Sequence, residues 1–543
     1  MSKIRKMVVS FLVLMMVAVL PLTAFAQEPE EGASSGMTGG DPVSTGVQLQ
    51  NVGDADTTAT VNLVQGTTRI KLADQTIDAG SALNYFFPTM TDETGAEVPA
   101  GSYAMVAEAD QELQAIVVTQ YTGNGAIGTY GSTAPATDVT LPIVFRNWSS
   151  QNSQITVQNA SSGTDVATVS IEIIGRKNVG SGSKSGISLQ PGASETFWVD
   201  EETFGISNNT GDLEDAAQNP DEGTGFIGYA RVTSTGAPVV VQSFIDIDGA
   251  AAVAAFNGVD TTNAAATTLY APLLRSNFVG DTGLQLVNTT ATDANVTITY
   301  YTDPVAQDVV SPAPDAEYTQ TDITVPANDS FVDFHGTGHP VLPDGTRTSA
   351  RHNDDITAGG WFGVARIESD QPLIGVVQDV MFANDFLFSV TNQANYNVST
   401  ADQAGSEFAV PLVTSNWLGS GTTGVQVQNV TANEITVGID YTVFGYNSET
   451  GQFDQGPLTP SGERLTKTIS ANGPANLYQG DPSELTKYTD GIGLEGAEGW
   501  FGSAIVKVDT AGGSVVAVVN DSYVNAESVP QDFANYNAIK LAD

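Results

Sequence analysis

The chain has 543 residues, with 62 acidic against 19 basic side chains, a formal net charge of −43 and no cysteine. Such a surface repels nucleic acid and anionic lipid, because phosphate binding needs Lys and Arg. Lack of cysteine excludes disulfides, a thiolate metal site, a lipid-modified N-terminal cysteine and a cysteine nucleophile, so each domain is held by burial alone.

The first residues have the form of an export signal. Lys3, Arg5 and Lys6 supply a basic start, residues 8–20 an apolar stretch, and Ala24 and Ala26 frame a cleavage site before Gln27. Residues 1–26 are therefore expected to be a signal peptide. Its removal leaves 16 basic residues against all 62 acidic ones, a net charge of about −46. No later segment approaches the roughly 18 apolar residues that span a bilayer, so the mature chain is expected outside the cytoplasm with no membrane insertion. Residues 27–41 are rich in Glu, Gly and Ser and read as a flexible linker.

After the linker the sequence repeats itself. At residues 410–430, Pro411, Asn416, Trp417, Gln426, Gln428 and Asn429 stand in order. Residues 272–288 carry Asn277, Phe278, Gln285 and Asn288, and residues 142–159 carry Asn147, Trp148, Gln158 and Asn159. The Gln-Asn landmark falls at Asn51, Asn159, Asn288 and Asn429, with spacings of 108, 129 and 141 residues. An aromatic-Gly step follows at residues 226–228, 361–363 and 500–502, with a weak copy around Tyr103. Apolar runs at 116–118, 239–241, 373–377 and 515–519 complete each unit. Landmarks recurring in fixed order mean repeated structural units, with loops absorbing the insertions.

Between landmarks the pattern alternates with period two. Val296, Ile298 and Tyr300 face one way, Thr297, Thr299 and Tyr301 the other. Turn residues punctuate the chain about every ten residues, and helical periodicity is absent. The expected fold is all-β: four tandem immunoglobulin-like antiparallel β-sandwich units after the signal peptide. They span a shorter, divergent unit at 42–137, a second at 138–266, a third with a His-containing loop at 267–404, and a fourth at 405–543. A single outer-membrane barrel would show even strands without the long period.

The opening of the first unit, Val47-Gln-Leu-Gln-Asn51-Val-Gly53 followed by Ala59, Val61 and Leu63, resembles bacterial adhesion-type immunoglobulin-like domains of the CARDB-like group. The later units are similar to tandem repeats of exported bacterial surface proteins. There a Val-Gln-Asn strand, an aromatic-Gly step and a Val-Val-Asn strand recur together, as at 427–429, 501–502 and 518–520. The resemblance implies an extracellular scaffold or adhesive role and brings no catalytic residues with it.

Candidate chemistry is sparse. The three histidines, His335, His339 and His352, fall within one segment and are the candidate metal ligands, with Asp333, Asp344, Asp354 and Asp355 nearby. Glycines and Pro340 break any helical His pair, and the Glu of a metalloprotease motif is missing, which favours an exposed polar insertion. Asp246 and Asp248, or Asp54 and Asp56, offer oxygens that would suit calcium; no other cofactor is expected. Trp148, Phe278 and Trp417 occupy one equivalent loop. They are the candidate glycan-binding residues if the rings are exposed, and plugs of the sandwich ends if they are not.

Asn-x-Ser/Thr triplets recur, at Asn288 and Asn429 among others, and mostly reflect composition. No G-x-S-x-G elbow, phosphate-cradling glycine loop or marked carboxylate pair is present, so no catalytic residue is assigned and no enzyme is expected. The function expected from sequence is a non-enzymatic cell-surface or matrix scaffold whose partners are other copies of itself or other surface proteins. The alternative is an adhesin for carbohydrate or protein, and the third reading is a secreted hydrolase.

Overall fold

The computed structural model describes residues 15–17, 43–121, 127–148, 151–178, 180–206, 225–247, 253–276, 280–309, 315–335, 361–382, 390–415, 421–447, 452–458, 464–478, 500–524 and 530–541. Most of them lie in antiparallel strands. The alternating sequence pattern becomes alternating burial: Ala167–Gly175 reads buried, exposed, buried along its length, and so does Ala294–Thr302.

Consecutive blocks of strands form pairs of sheets, and the landmarks take the same place in each. One sheet of a pair is built around the aromatic-Gly strand: Ala104–Glu108, Phe226–Thr235, the first half of Trp361–Phe382, and Trp500–Val508. It pairs on one side with the alternating strand, which is Thr57–Gln65, Ala167–Gly175, Ala294–Thr302 or Ile435–Asn447. In the second, third and fourth pairs it meets on the other side a Pro-containing opening strand, Asp138–Arg146, Ala266–Ser276 or Glu407–Ser415.

The facing sheet pairs the Gln-Asn strand (Val43–Asn51, Gln151–Asn159, Asp281–Asn288, Gly421–Asn429) with the apolar strand that follows the aromatic-Gly strand. An inner strand closes one edge of that sheet: Ile127–Gly131, Val253–Asn257, Val390–Asn397 or Pro530–Asn537. In the third pair the aromatic-Gly and apolar strands are one uninterrupted strand, Trp361–Phe382, which crosses from one sheet to the other.

Three recurring residues now have causes. The opening strands slip register between Leu141 and Val144, Ala271 and Leu274, and Val410 and Val413. Each slip encloses a proline, Pro142, Pro272 or Pro411, whose missing N–H a bulge tolerates. A Cβ on Gly228 would sit 2.1 Å from the Ile174 carbonyl oxygen, and one on Gly363 the same distance from that of Tyr301, so only glycine fits after the aromatic.

The landmark asparagines are fully buried and tie the two sheets of each pair together. Asn429 Nδ2 donates to the carbonyls of Asn433 at 2.7 Å and Ser470 at 2.8 Å, while its Oδ1 accepts from Thr431 N and Oγ1, each at 2.8 Å. Asn288 repeats this with Thr292, Val325 and Thr290. In both, the Thr of the Asn-x-Thr triplet is a hydrogen-bond partner of a buried asparagine, not half of an exposed acceptor site.

The sheet pairs do not stand in a row. Their inner strands are edge strands, and they pack against one another in cyclic order: first on second, second on third, third on fourth, and fourth back on first. Four edges that would otherwise present unpaired backbone to solvent are covered by mutual contact. The cores run on across the junctions. Val376 of the third pair packs into the core of the second, Val518 of the fourth into that of the third, and Ile116 of the first into that of the fourth. The repeat therefore closes into a ring.

Candidate functional site

The ring places one cavity on its axis, at one end of the inner strands. It measures about 310 Å³ and is lined by residues 129–134, 255–260, 395–399 and 535–540, with Gln403 and Phe408. Its wall is an amide ladder. Asn257 Nδ2 donates to the Gly131 carbonyl, Asn397 Nδ2 to that of Asn257, and Asn537 Nδ2 to that of Asn397, each at 2.7 Å. Asn397 N also donates to Asn537 Oδ1 at 3.0 Å. The fourth step has Gly131 in place of an asparagine, and Thr129 Oγ1 approaches the Asn535 carbonyl at 3.4 Å instead.

One layer deeper, Asn520 Nδ2 donates to Asn535 Oδ1 at 2.5 Å, and Asn535 Nδ2 lies 3.3 Å from Asp379 Oδ2. Asp379 is fully buried, and Arg275 Nη2 stands 3.5 Å from the same oxygen. Burial pushes this carboxyl above the ordinary Asp value, with Arg275 and then Asn535 opposing. The cavity lining itself combines amides, hydroxyls and aromatic edges with one acidic side chain, Asp260, and one basic side chain, Lys540. Such a lining can donate and accept hydrogen bonds.

Glutamines of the repeat cross the junctions beside this axis. Gln285 Nε2 donates to the Gly228 carbonyl at 3.2 Å, Gln428 Nε2 to that of Ala365 at 3.2 Å, and Gln48 Nε2 to that of Gly502 at 3.4 Å. The last bond joins the first unit to the fourth. Each glutamine reaches the aromatic-Gly strand of the preceding unit, so two landmarks of the repeat meet only between units.

The sequence-derived candidates do not converge here. His335 was expected in an exposed polar loop, and the structure corrects this: it is completely buried at the end of Asp329–Phe334. Its Nδ1 lies 2.9 Å from Thr282 Oγ1 and its Nε2 3.2 Å from Tyr300 Oη, with Asp333 Oδ2 3.9 Å from Nε2. Burial, then Asp333, raises the Tyr300 hydroxyl well above its ordinary value. His339, His352, Asp344, Asp354 and Asp355 lie outside the described residues.

Trp148 is half-buried and packs against the core of the second unit. Phe278 and Trp417 lie outside the described residues. Asp246 is buried, Asp248 lies outside the described residues, and Asp56 Oδ1 caps the Ala79 N–H across a turn at 3.1 Å. Among the described residues, no three His, Asp or Glu side chains group as a metal site.

The axial asparagines were missed in the sequence, yet they left a signal. Gly131, Asn257, Asn397 and Asn537 each follow an aromatic residue, and the hydrogen-bonded steps span 126, 140 and 140 residues. Those are close to the spacings of the recognised landmarks.

No family model matches the sequence, and no curated protein matches it. Among solved structures, the C-terminal domain of the Streptococcus pyogenes antigen I/II-family protein AspA is 9% identical, with 55% of this chain and 91% of that chain covered at a TM-score of 0.12. The CupB6 tip adhesin from Pseudomonas aeruginosa is 6% identical, with 56% and 90% covered at a TM-score of 0.09. Overlaps this low carry no argument about the chain.

Proposed function

We propose that the chain is an exported, non-enzymatic surface or matrix protein whose repeated β-sandwich units act as one rigid block. The observation that carries this reading is where the recurring polar side chains go. The landmark asparagines tie sheets within a unit, and Gln48, Gln285, Gln428, Asn257, Asn397 and Asn537 join one unit to the next. The repeat thus maintains an assembly instead of presenting a reactive group. The acidic surface keeps such a block soluble and leaves cations or basic faces of neighbouring surface proteins as its partners.

The reading is tested on the secreted chain. Small-angle scattering should give a radius of gyration of about 24 Å, the value for a compact chain of this length, whereas units strung in a row would give roughly twice that. Cell fractionation with in situ cross-linking should recover the chain at the surface, joined to itself or to other surface proteins. Saturable capture of a soluble glycan would favour the adhesin, and turnover of any substrate would overturn the scaffold.

A further inference from the structure

Among the described residues, the first unit has no full-length counterpart of a strand that the other three possess. In those, the aromatic-Gly strand is flanked by an opening strand of nine, eleven and nine residues: Asp138–Arg146, Ala266–Ser276 and Glu407–Ser415. Each opening strand supplies apolar side chains to its core, among them Leu141 and Phe145, Leu269 and Leu274, and Phe408 and Val413.

The place itself is present. Ala104–Glu108 runs between Thr57–Gln65 and an outer position, which among the described residues is taken by Met15–Val17. Met15 pairs with Ala107, Met16 with Val106 and Val17 with Met105, antiparallel as in the other units. A second feature marks the same slot. In the third and fourth units an inner-strand tyrosine secures the bulge of the opening strand, whereas the second unit has Phe256 at that place: Tyr396 Oη accepts from Leu273 N at 3.1 Å, and Tyr536 Oη donates to the Leu412 carbonyl at 2.6 Å. Tyr130 holds the equivalent register position in the first unit, opposite Val117 as Tyr396 is opposite Val377.

Met15–Val17 belongs to the segment read as a signal peptide, upstream of the cleavage site at Ala26. Once residues 1–26 are removed, the remaining residues 27–41 are nearly all Gly, Ser, Glu, Pro and other small or polar types and cannot replace an apolar strand. Opening strands of a second copy are already paired within their own sheets. Ala104, Met105, Val106 and Ala107 would be left as a short apolar edge, which is a template for strand addition.

We propose that the mature first unit is a strand acceptor. It takes one antiparallel, apolar strand of about nine residues, tolerant of a proline bulge, from a separate partner chain, and the export segment occupies the edge beforehand. This rests on the surface-protein reading and on signal cleavage, so the N-terminus is established first.

The chain is secreted from an expression host and its N-terminus sequenced. The cleaved protein is then titrated with a peptide of residues 138–148, with a scrambled peptide as control. A variant carrying residues 138–146 fused through a Gly-Ser linker to its mature N-terminus serves as the pre-filled form. One peptide should bind per chain and raise the melting temperature by roughly 5 °C at saturation. The pre-filled variant should melt higher without peptide and bind none. The proposal is overturned if residues 1–26 are retained, or if neither peptide nor fusion changes melting. A dimer that the peptide dissolves would make the occupant a second copy and would overturn the separate partner.

Discussion

Replacing Asn429 with Ala removes one of the four sheet-tying amides without touching any surface. The side chain is fully buried, and its four bonds of 2.8 Å or less go to Asn433 O, Ser470 O, Thr431 N and Thr431 Oγ1. At a net value of roughly 0.5–1.5 kcal/mol each, their loss costs about 3 kcal/mol, since the turn at Thr431–Asn433 is partly exposed and water can re-pair some of these groups. Asn429→Asp separates hydrogen bonding from size. At pH 7 a carboxylate still accepts from Thr431 but aims its second oxygen at two carbonyls, so this variant should be at least as unstable as the alanine.

The new carboxyl would have a raised pKa in the folded state, so it favours the fold in its protonated form. Its destabilisation should therefore shrink as pH falls toward 4 and grow as pH rises through the raised pKa. Urea denaturation of the full chain at pH 7 and pH 4.5 measures both effects. An alanine variant within about 1 kcal/mol of the parent, or an aspartate variant equally stable at the two pH values, would refute the reasoning.

Gly363→Ala should cost about 3 kcal/mol or more, because the new Cβ would fall 2.1 Å from the Tyr301 carbonyl oxygen and 2.7 Å from Trp361 Cζ2; a urea midpoint unchanged from the parent would refute this contact. Asn397→Ala combined with Asn537→Ala removes two rungs of 2.7 Å and the acceptor of a third bond of 3.0 Å, for a loss of about 2–3 kcal/mol. Hydrogen exchange should quicken first along Val390–Asn397 and Pro530–Asn537, ahead of the sandwich cores. Asp303 is 1% exposed, accepts from Val305 N at 2.9 Å, and has its carboxyl raised chiefly by burial. The folded chain then holds its proton more tightly than the unfolded one, so stability falls as pH rises from below about 4 through the folded pKa. An asparagine in its place carries no such penalty. The stability of Asp303→Asn relative to the parent should climb over that window in pH-dependent denaturation, and a flat difference would sink the assignment.

How far the sequence could be read depended on the range of the interaction. Period-two alternation reports which face of a strand meets its own core, and Val296, Ile298 and Tyr300 are buried as that pattern requires. The recurring Pro, Gly and Asn were also visible as landmarks, because bulges, close backbone approaches and turn ties demand particular residue types wherever the unit is copied. Their causes were not visible. A glycine packed against a neighbouring carbonyl and a glycine in an open turn look alike in a string of letters.

His335 shows the limit most clearly. Followed by Gly336 and Gly338, it reads as a loop residue, yet Thr282 and Tyr300 from two other strands satisfy its ring inside the core. The axial asparagines show it again, since Asn257, Asn397 and Asn537 acquire a role only when three different units meet. Composition and periodicity by themselves determined an acidic, cysteine-free, all-β chain of repeated units. Tertiary structure alone decided that those units close on one another. The physical reason is that a repeat encodes each unit's own burial pattern, whereas closure depends on edges meeting across more than a hundred residues of intervening chain, where no local period records the contact.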